Sequence, residues 1–177
     1  MKNPVTYLFL ILISAVLLCG CGFDVPSLSG KQLQFETTDL SGSPVNSAEL
    51  FAQHEITLLN LWGTWCGPCI QELPELNKVN ELLADMDGAV VGLLNDGKGS
   101  NNAELAKQLL AENNIGYLNI LSPENMNEII LQRYYPTTVF VNREGVVVGR
   151  TLLGTPGKGY IVDYYVEAAK EALNSGD

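Results

Sequence analysis

This chain has few cysteines, few basic residues and a single histidine, and each shortage excludes a class of protein. Four cysteines in 177 residues are too few for a miniprotein built on a disulfide framework, and a chain of this length can bury a core without one. Lysine and arginine total 10 against 20 aspartates and glutamates, so the formal net charge is −10. Such an acidic chain lacks the basic patch that binds nucleic acid, and we expect no nucleic-acid partner.

The residues that are present are sufficient for one folded domain. Hydrophobic residues make up 46 % of the chain and charged residues 17 %, a balance typical of a globular protein rather than of a disordered tail. The length fits one domain of ordinary size. We find no internal repeat that would indicate a solenoid.

The N-terminal segment is typical of an export signal. Residues 5–18 form a mostly apolar run after one lysine, and the run is shorter than the about 20 residues that a membrane-spanning helix needs. It ends in the sequence Leu-Cys-Gly-Cys over 18–21, which resembles the lipobox of bacterial lipoproteins. This resemblance implies cleavage after Gly20 and attachment of lipid to the sulfur of Cys21.

These assignments divide the chain into three parts. We expect a lipoprotein signal peptide over 1–20, the lipidated cysteine and a linker rich in Ser, Pro and Gly over 21–32, and one domain over 33–175. An uncleaved membrane anchor is the alternative to lipid attachment. In both cases the domain is extracytoplasmic and held at the cell membrane.

Within the domain, apolar runs alternate with segments of helical periodicity. The apolar runs predict strands over 33–37, around 45, and over 56–61, 89–94, 117–121, 137–141 and 146–151. The helical periodicity predicts helices over 47–52, 66–83, 101–112, 125–134 and 160–173. We expect Ser47 to cap the first of these helices, and Leu105, Leu109 and Leu110 to face the core. The order of elements implies an α/β fold with a mixed central sheet and helices on both faces.

The chemistry lies in the sequence Trp65-Cys66-Gly67-Pro68-Cys69, directly after a buried strand and at the start of a helix. A helix N-terminus carries free N–H groups and a partial positive charge, which stabilise a thiolate. We therefore expect Cys66 to be the more exposed sulfur and the nucleophile, and Cys69, one turn further on, to be the resolving thiol. Pro68 falls in the first turn, where its missing N–H costs little.

Other uses of a C-x-x-C pair have little support here. A zinc site needs four ligands, but Cys19 and Cys21 belong to the leader and His54 is the only histidine. Haem attachment requires a histidine after the second cysteine, and residue 70 is isoleucine. We expect no metal and no cofactor, and a plain structural disulfide is the remaining alternative.

The segment from Asn60 to Cys69 resembles the active site of thioredoxin-like proteins. With a membrane tether, the chain is most similar to the TlpA/ResA group of extracytoplasmic thiol-disulfide oxidoreductases. Pro74 and the sequence Tyr-Pro-Thr-Thr over 135–138 also match that group. The resemblance implies a thioredoxin-like fold with an N-terminal β extension and a TlpA-type insertion, and a redox-active Cys66–Cys69 disulfide.

The resemblance also implies where a substrate binds. Pro136 would be a cis-proline packed against the active-site disulfide, which leaves the backbone of residue 135 free to pair with an extended substrate segment. The substrate-binding residues implied in this way are Trp65, Gly67, Pro68, Tyr135 and Thr137. Of the two tryptophans, we expect Trp62 to be packed and Trp65 to be exposed.

One departure from cytoplasmic thioredoxins concerns the acid/base group. Those proteins have a buried aspartate where this chain has Asn60, and an amide cannot take a proton. Glu72 follows Cys69 by one helical turn, and ResA-like proteins have a glutamate at the matching position. We expect Glu72 to be the acid/base residue with a raised pKa; the alternative is an ordinary solvated glutamate.

These features predict a reductase. Gly67-Pro68 is the dipeptide of reducing thioredoxins, whose potential lies near about −270 mV, against about −120 mV for strong oxidants. The resemblance implies a membrane electron donor of the CcdA/DsbD type and protein disulfides as substrates. The acidic surface favours basic partners such as c-type cytochromes, which would connect the protein with cytochrome c maturation. An oxidase or isomerase, or a non-catalytic lipoprotein subunit with a structural disulfide, is the alternative.

Overall fold

A computed structural model describes residues 27–98, 101–126, 130 and 134–175. The predicted signal peptide, Cys21 and most of the predicted helix over 125–134 lie outside the described residues. The strands are β1 (Glu36–Thr38), β2 (Pro44–Asn46), β3 (Ile56–Trp62), β4 (Gly88–Leu94), β5 (Leu118–Leu121), β6 (Thr137–Asn142) and β7 (Val147–Leu153). The helices are α1 (Ser47–Phe51), α2 (Gly67–Ala84), α3 (Asn102–Glu112) and α4 (Ile161–Ser175).

Five strands form a mixed sheet in the order β5-β4-β3-β6-β7. Strands β3, β4 and β5 are parallel, whereas β6 runs antiparallel to β3 and β7 antiparallel to β6. Every residue of β3 is buried, as a continuous apolar run at the centre of a sheet requires. Strands β1 and β2 pair separately as an antiparallel hairpin at the N-terminal side, which matches the predicted β extension.

Helices cover both faces of the sheet, as the order of elements predicts. The even-numbered apolar side chains of β3 form one buried cluster with residues of α2, α3 and α4. The opposite face packs against α1, the segment that leads into β1, and the side chains of Met126 and Ile130. Asn60 is an even-numbered residue of β3, so its side chain lies on the same face as α2 and α4.

The prediction that Ser47 caps α1 was wrong. The cap is Asn46, whose side chain accepts hydrogen bonds from the backbone N–H groups of the next helical residues, Ala48 and Glu49. The Ser47 hydroxyl instead accepts from the Phe35 backbone N–H at 2.9 Å. Both residue types cap helices well, and the tertiary contact to Phe35 decides between them.

The predicted apolar side of α3 was also partly wrong. Leu105 is 42 % exposed, whereas Ala106 is fully buried and Leu110 nearly so. Successive helical residues point about 100° apart, so a helix that turns Ala106 toward the core turns Leu105 away from it. Hydrophobicity alone favours leucine over alanine, and for this reason the sequence pattern selected the wrong residue.

Gly92 on β4 occupies a position where a larger side chain does not fit. It lies in register between Asn60 of β3 and Asn119 of β5, and the Asn119 side chain passes over it to accept a hydrogen bond from Trp62 Nε1 at 3.0 Å. A Cβ atom at Gly92 would overlap the Asn119 side-chain oxygen and lie 3.2 Å from Trp62 Nε1. Glycine is therefore required by space rather than by backbone conformation.

We expect Gly92→Ala to lower the free energy of unfolding by about 2–4 kcal/mol. The added methyl group overpacks the site, and the Trp62 N–H loses its buried acceptor. Urea unfolding followed by fluorescence measures this change. Gly67→Ala is the control, because a Cβ there meets nothing within 4 Å. Equal stability of Gly92→Ala and the parent protein would contradict the prediction.

Candidate active site

The cysteine pair lies where the central strand passes into helix α2. Strand β3 ends at Trp62, and α2 begins at Gly67 with Cys66 as its N-cap. The Cys66 sulfur accepts a hydrogen bond from the Cys69 backbone N–H at 3.2 Å, so it satisfies one of the free N–H groups of the first turn. Pro68 stands in that turn, where no hydrogen bond is lost.

Cys66 and Cys69 form a disulfide with their Cα atoms 5.3 Å apart. Cys66 is 4 % exposed and Cys69 is fully buried. Cys66 is thus the more exposed residue of the pair, although both are buried. Gly67 and Pro68 beside it are exposed, so the side of the disulfide that faces solvent is the Cys66 side.

The turn that precedes Cys66 is held by a carboxylate from the neighbouring strand. Asp96 follows β4, and its carboxylate accepts from the Thr64 backbone N–H at 3.1 Å and from the Thr64 hydroxyl at 2.6 Å. The Asn102 amide donates to the same carboxylate at 3.0 Å. Sequence reasoning missed Asp96. Its position directly after a strand parallel to β3 was the available signal, because the carboxyl ends of parallel strands meet at one edge of a sheet.

The segment before β6 lies against the same surface. The Tyr135–Pro136 peptide bond is cis, as the resemblance implies. The Tyr135 ring contacts the Trp65 ring edge to face, with centroids 4.9 Å apart. Trp65 remains 62 % exposed, whereas Trp62 is fully buried. The two tryptophans therefore lie as predicted, and Trp65 with Tyr135 forms an aromatic surface beside Cys66.

Thr137, a predicted substrate-binding residue, is buried and does not form part of this surface. Its side chain is buried, and its hydroxyl donates to the Tyr134 carbonyl at 2.7 Å. Its backbone is in register with β3 on one side and β7 on the other. The Thr137 side chain therefore faces the protein interior.

Glu72 lies on α2, one turn after Cys69, and is fully buried. Its Oε1 accepts from Asn60 Nδ2 at 2.9 Å, and its Oε2 accepts from the Tyr165 hydroxyl at 3.1 Å. The alternative of an ordinary solvated glutamate is therefore wrong. Tyr165 was not predicted as part of the site, because its contact depends on how α4 packs against α2.

Burial raises the pKa of Glu72 to about 7, because a carboxylate is poorly stabilised away from water. The side chains of Thr155, Asn60 and Tyr165 act in the opposite direction through hydrogen bonds that favour the ionised form. The group can thus gain or lose a proton near neutral pH. This is the range in which an acid/base residue is most effective.

His54 lies outside this site. It precedes β3, at the end of the strand far from Cys66, and its Nδ1 is 3.3 Å from the Asp87 carboxylate. Within the described ranges, no three His, Cys, Asp or Glu side chains cluster as metal ligands would. No helix in the described part of the chain has the length and apolar character to span a bilayer.

With a disulfide at the first turn of α2, a cis-proline in the segment that leads into β6 and a buried glutamate one turn after Cys69, the site is that of a thiol-disulfide oxidoreductase with a thioredoxin-like fold. The chain belongs to the Redoxin family, whose family model matches residues 24–166.

Two curated relatives carry names of this class. The thiol:disulfide interchange protein DsbE of Pseudomonas aeruginosa is 29 % identical over 126 residues, which cover 71 % of this chain and 59 % of that protein. The thiol-disulfide oxidoreductase ResA of Bacillus subtilis is 25 % identical over 171 residues, which cover 84 % of this chain and 86 % of that protein.

A solved structure shows the same fold. A thiol:disulfide interchange protein of the thioredoxin family from Chlorobium tepidum superposes with a TM-score of 0.63 at 21 % identity, covering 85 % of this chain and 99 % of the other. This agreement supports the predicted thioredoxin-like fold.

Proposed function

We propose that this protein reduces disulfides in exported proteins through Cys66 and Cys69. The observation that carries the proposal is the position of Cys66 as the N-cap of α2, with Cys66 the more exposed residue of the pair and exposed Trp65 next to it. A non-catalytic structural disulfide has no need of such a position, because a helix N-terminus favours a thiolate over a thiol.

The exchange proceeds in two balanced steps. The Cys66 thiolate attacks one sulfur of the substrate disulfide, so that a mixed disulfide forms and the other substrate sulfur leaves as a thiolate. The Cys69 thiolate then attacks the Cys66 sulfur, closes the Cys66–Cys69 disulfide and releases the second substrate thiolate. Two electrons pass from the cysteine pair to the substrate.

Glu72 takes the proton of Cys69 in the second step. Cys69 is fully buried, so its proton needs an acceptor inside the protein. Glu72 lies one turn further along the same helix, and its pKa of about 7 lets it accept a proton at neutral pH and release it afterwards. Asn60, which replaces the buried aspartate of cytoplasmic thioredoxins, holds Glu72 rather than titrating itself.

The substrate segment binds beside Pro136. The backbone of Tyr135 pairs with the extended chain around the substrate cysteine, as in other strand-addition complexes. Trp65 and Tyr135 supply an aromatic contact on one side of Cys66, and exposed Gly67 and Pro68 allow close approach on the other. Thr137 holds the end of this segment in the sheet, because its backbone is paired with β3 and β7.

We infer the reducing direction from the Gly67-Pro68 dipeptide and the membrane location from the lipobox at Cys21. A thiol carrier of the CcdA/DsbD type would re-reduce the disulfide from the membrane side. A lipid on Cys21 and a short linker would hold the domain at that surface, within reach of both the carrier and exported substrates, which include apocytochromes if the protein acts in cytochrome c maturation.

Trapping tests the proposed function. In Cys69→Ala the second step is blocked, so a mixed disulfide between Cys66 and the substrate accumulates and can be identified by mass spectrometry. The proposal predicts captured exported proteins and a reduction potential of the Cys66–Cys69 pair near about −270 mV. Capture of nothing indicates a structural disulfide, and a potential near about −120 mV indicates an oxidase.

We expect Cys21→Ala to release the protein from the membrane. The lipid is attached through the Cys21 sulfur, so its removal abolishes lipid anchoring at that position. Fractionation of cells followed by immunoblotting measures the distribution. Cys19→Ala is the matched control and stays at the membrane. A full-length Cys21→Ala protein that remains membrane-bound would support the uncleaved anchor instead.

A further inference from the structure

Helix α4 contacts Glu72, the proposed acid/base residue, through the side chain of Tyr165. Tyr165 of α4 is fully buried, and its hydroxyl donates to Glu72 Oε2 at 3.1 Å. A buried hydroxyl is placed against a polar partner because an unpaired one is costly. Helices α2 and α4 pack side by side in the same buried cluster, so this hydrogen bond joins the C-terminal part of the fold to the proposed proton acceptor.

Asn60 and Tyr165, from two different elements, donate to the two oxygens of Glu72, and the Thr155 side chain also favours the ionised form. Asn60 of β3 donates to Oε1 at 2.9 Å and, through the same nitrogen, to the Thr138 hydroxyl at 3.0 Å. The Asn60 Oδ1 atom has no hydrogen-bond partner among the residues that the structure describes. With its nitrogen toward Glu72 and its oxygen away, Asn60 acts as a donor, as does Tyr165. Two donors on a carboxyl group match the ionised form, which only accepts.

We propose that Tyr165 is a positioning residue for Glu72, whose hydroxyl orients the carboxyl group and stabilises its ionised form, so that α4 helps to set the pH at which Glu72 takes up the Cys69 proton. This inference rests on the proposed acid/base role of Glu72. It assigns to α4 a part in proton transfer in addition to its part in the core.

The groups that face Glu72 indicate that Tyr165 donates a hydrogen bond to Glu72 and does not pass protons to it. Burial, followed by the charge of Glu72, raises the pKa of Tyr165 far above neutral, so Tyr165 keeps its proton throughout the working range. Tyr117, which precedes β5, is the other phenol whose pKa burial and the Glu72 charge raise; its hydroxyl has no partner among the described residues. Cys69 lies one turn earlier on the same helix, and Asn60 and Thr155, whose side chains also act on Glu72, are neutral.

The test is a titration of the Glu72 carboxyl carbon by NMR in the oxidised protein. Tyr165→Phe keeps the ring and its packing but removes the donor. A hydrogen bond to a charged group is worth enough to change a pKa by about one unit, so we expect the Glu72 midpoint to rise by about one pH unit. The matched control is Tyr164→Phe, because phenylalanine keeps the ring of this neighbouring residue and with it the contacts to the Arg150 guanidinium carbon at 5.1 Å and to the Tyr165 ring.

Activity supplies a second readout that a merely structural role would not change. The midpoint of the pH profile for disulfide reduction should shift upward in Tyr165→Phe by the same amount as the NMR midpoint. In a Glu72→Gln background, Tyr165→Phe should cause no further shift, because the two residues act through one group.

The outcomes separate the two proposals. An unchanged NMR titration midpoint of Glu72 in Tyr165→Phe overturns the proposed role of Tyr165, regardless of the effect on activity. A Glu72 midpoint that rises while the pH profile of the reaction stays the same in both Tyr165→Phe and Glu72→Gln supports the contact but overturns the proposed acid/base role of Glu72. A persistent effect of Tyr165→Phe on the pH profile in the Glu72→Gln background would show that Tyr165 acts by another route and overturns the inference.

Discussion

Cys66→Ser is expected to reduce the rate of disulfide reduction by about a thousandfold or more, to the level of the uncatalysed exchange. A hydroxyl at the N-cap of α2 still accepts the Cys69 backbone N–H, so the fold and the helix start are preserved. It does not attack a disulfide. The loss is therefore chemical, and insulin reduction with a thiol donor measures it directly.

Cys69→Ser should lose activity in a different way from Cys66→Ser. Cys66 can still attack, so one equivalent of substrate thiol appears rapidly, and turnover then stops because the mixed disulfide is not resolved. A burst in Cys69→Ser and no burst in Cys66→Ser is the predicted pattern. Equal bursts in both variants would contradict the division of roles between the two cysteines.

Glu72→Gln is expected to stabilise the oxidised protein at alkaline pH and to slow the reaction. The folded state raises the pKa of Glu72 from 4.5 to about 7, so between these values the folded protein holds a proton that the unfolded chain has released. The parent protein therefore loses stability as pH rises through this window. Glutamine removes the titration, and we expect a gain of about 3 kcal/mol above pH 8 and little difference near pH 4.5.

Glu72→Gln should also lower the rate of disulfide reduction. Without a proton acceptor beside Cys69, the second step should slow by about a hundredfold near neutral pH. Glu75→Gln is the control, because Glu75 lies on the same helix, close to Glu72 in sequence, but is partly exposed and paired with Lys78 at 3.1 Å. Denaturant unfolding at several pH values gives the stability difference. A stability gain that is the same at pH 4.5 and above pH 8 would contradict the account of Glu72.

The core of the site could be predicted because its signals are local. A buried strand followed by C-x-x-C and a helical pattern places Cys66 at a helix start, and helical spacing alone brings Glu72 one turn after Cys69. The resemblance to thioredoxins, which have a buried aspartate where this chain has Asn60, indicated that proton transfer needs another residue. The placement of Cys66 and Glu72 uses neighbours within about one turn or one element, where chain geometry decides position.

The contacts that were missed depend on packing between distant segments. Tyr165 meets Glu72 across 93 positions of the chain, and Asp96 meets Thr64 across 32. Periodicity predicts that α4 is a helix, but not which of its side chains lies over the carboxyl group of another helix. The prediction that Ser47 caps α1 failed for the same reason, since the Ser47 hydroxyl accepts a hydrogen bond from the Phe35 backbone N–H.

The most direct test of the central claim is limited alkylation of the fully reduced protein, with the modified residue identified by peptide mass spectrometry. Cys66 lies at the helix start on the solvent side, and Cys69 is fully buried one turn further on. The account predicts that Cys66 is modified first and Cys69 only after unfolding. Modification of Cys69 first, or of both at equal rates, would contradict the assignment of Cys66 as the attacking sulfur.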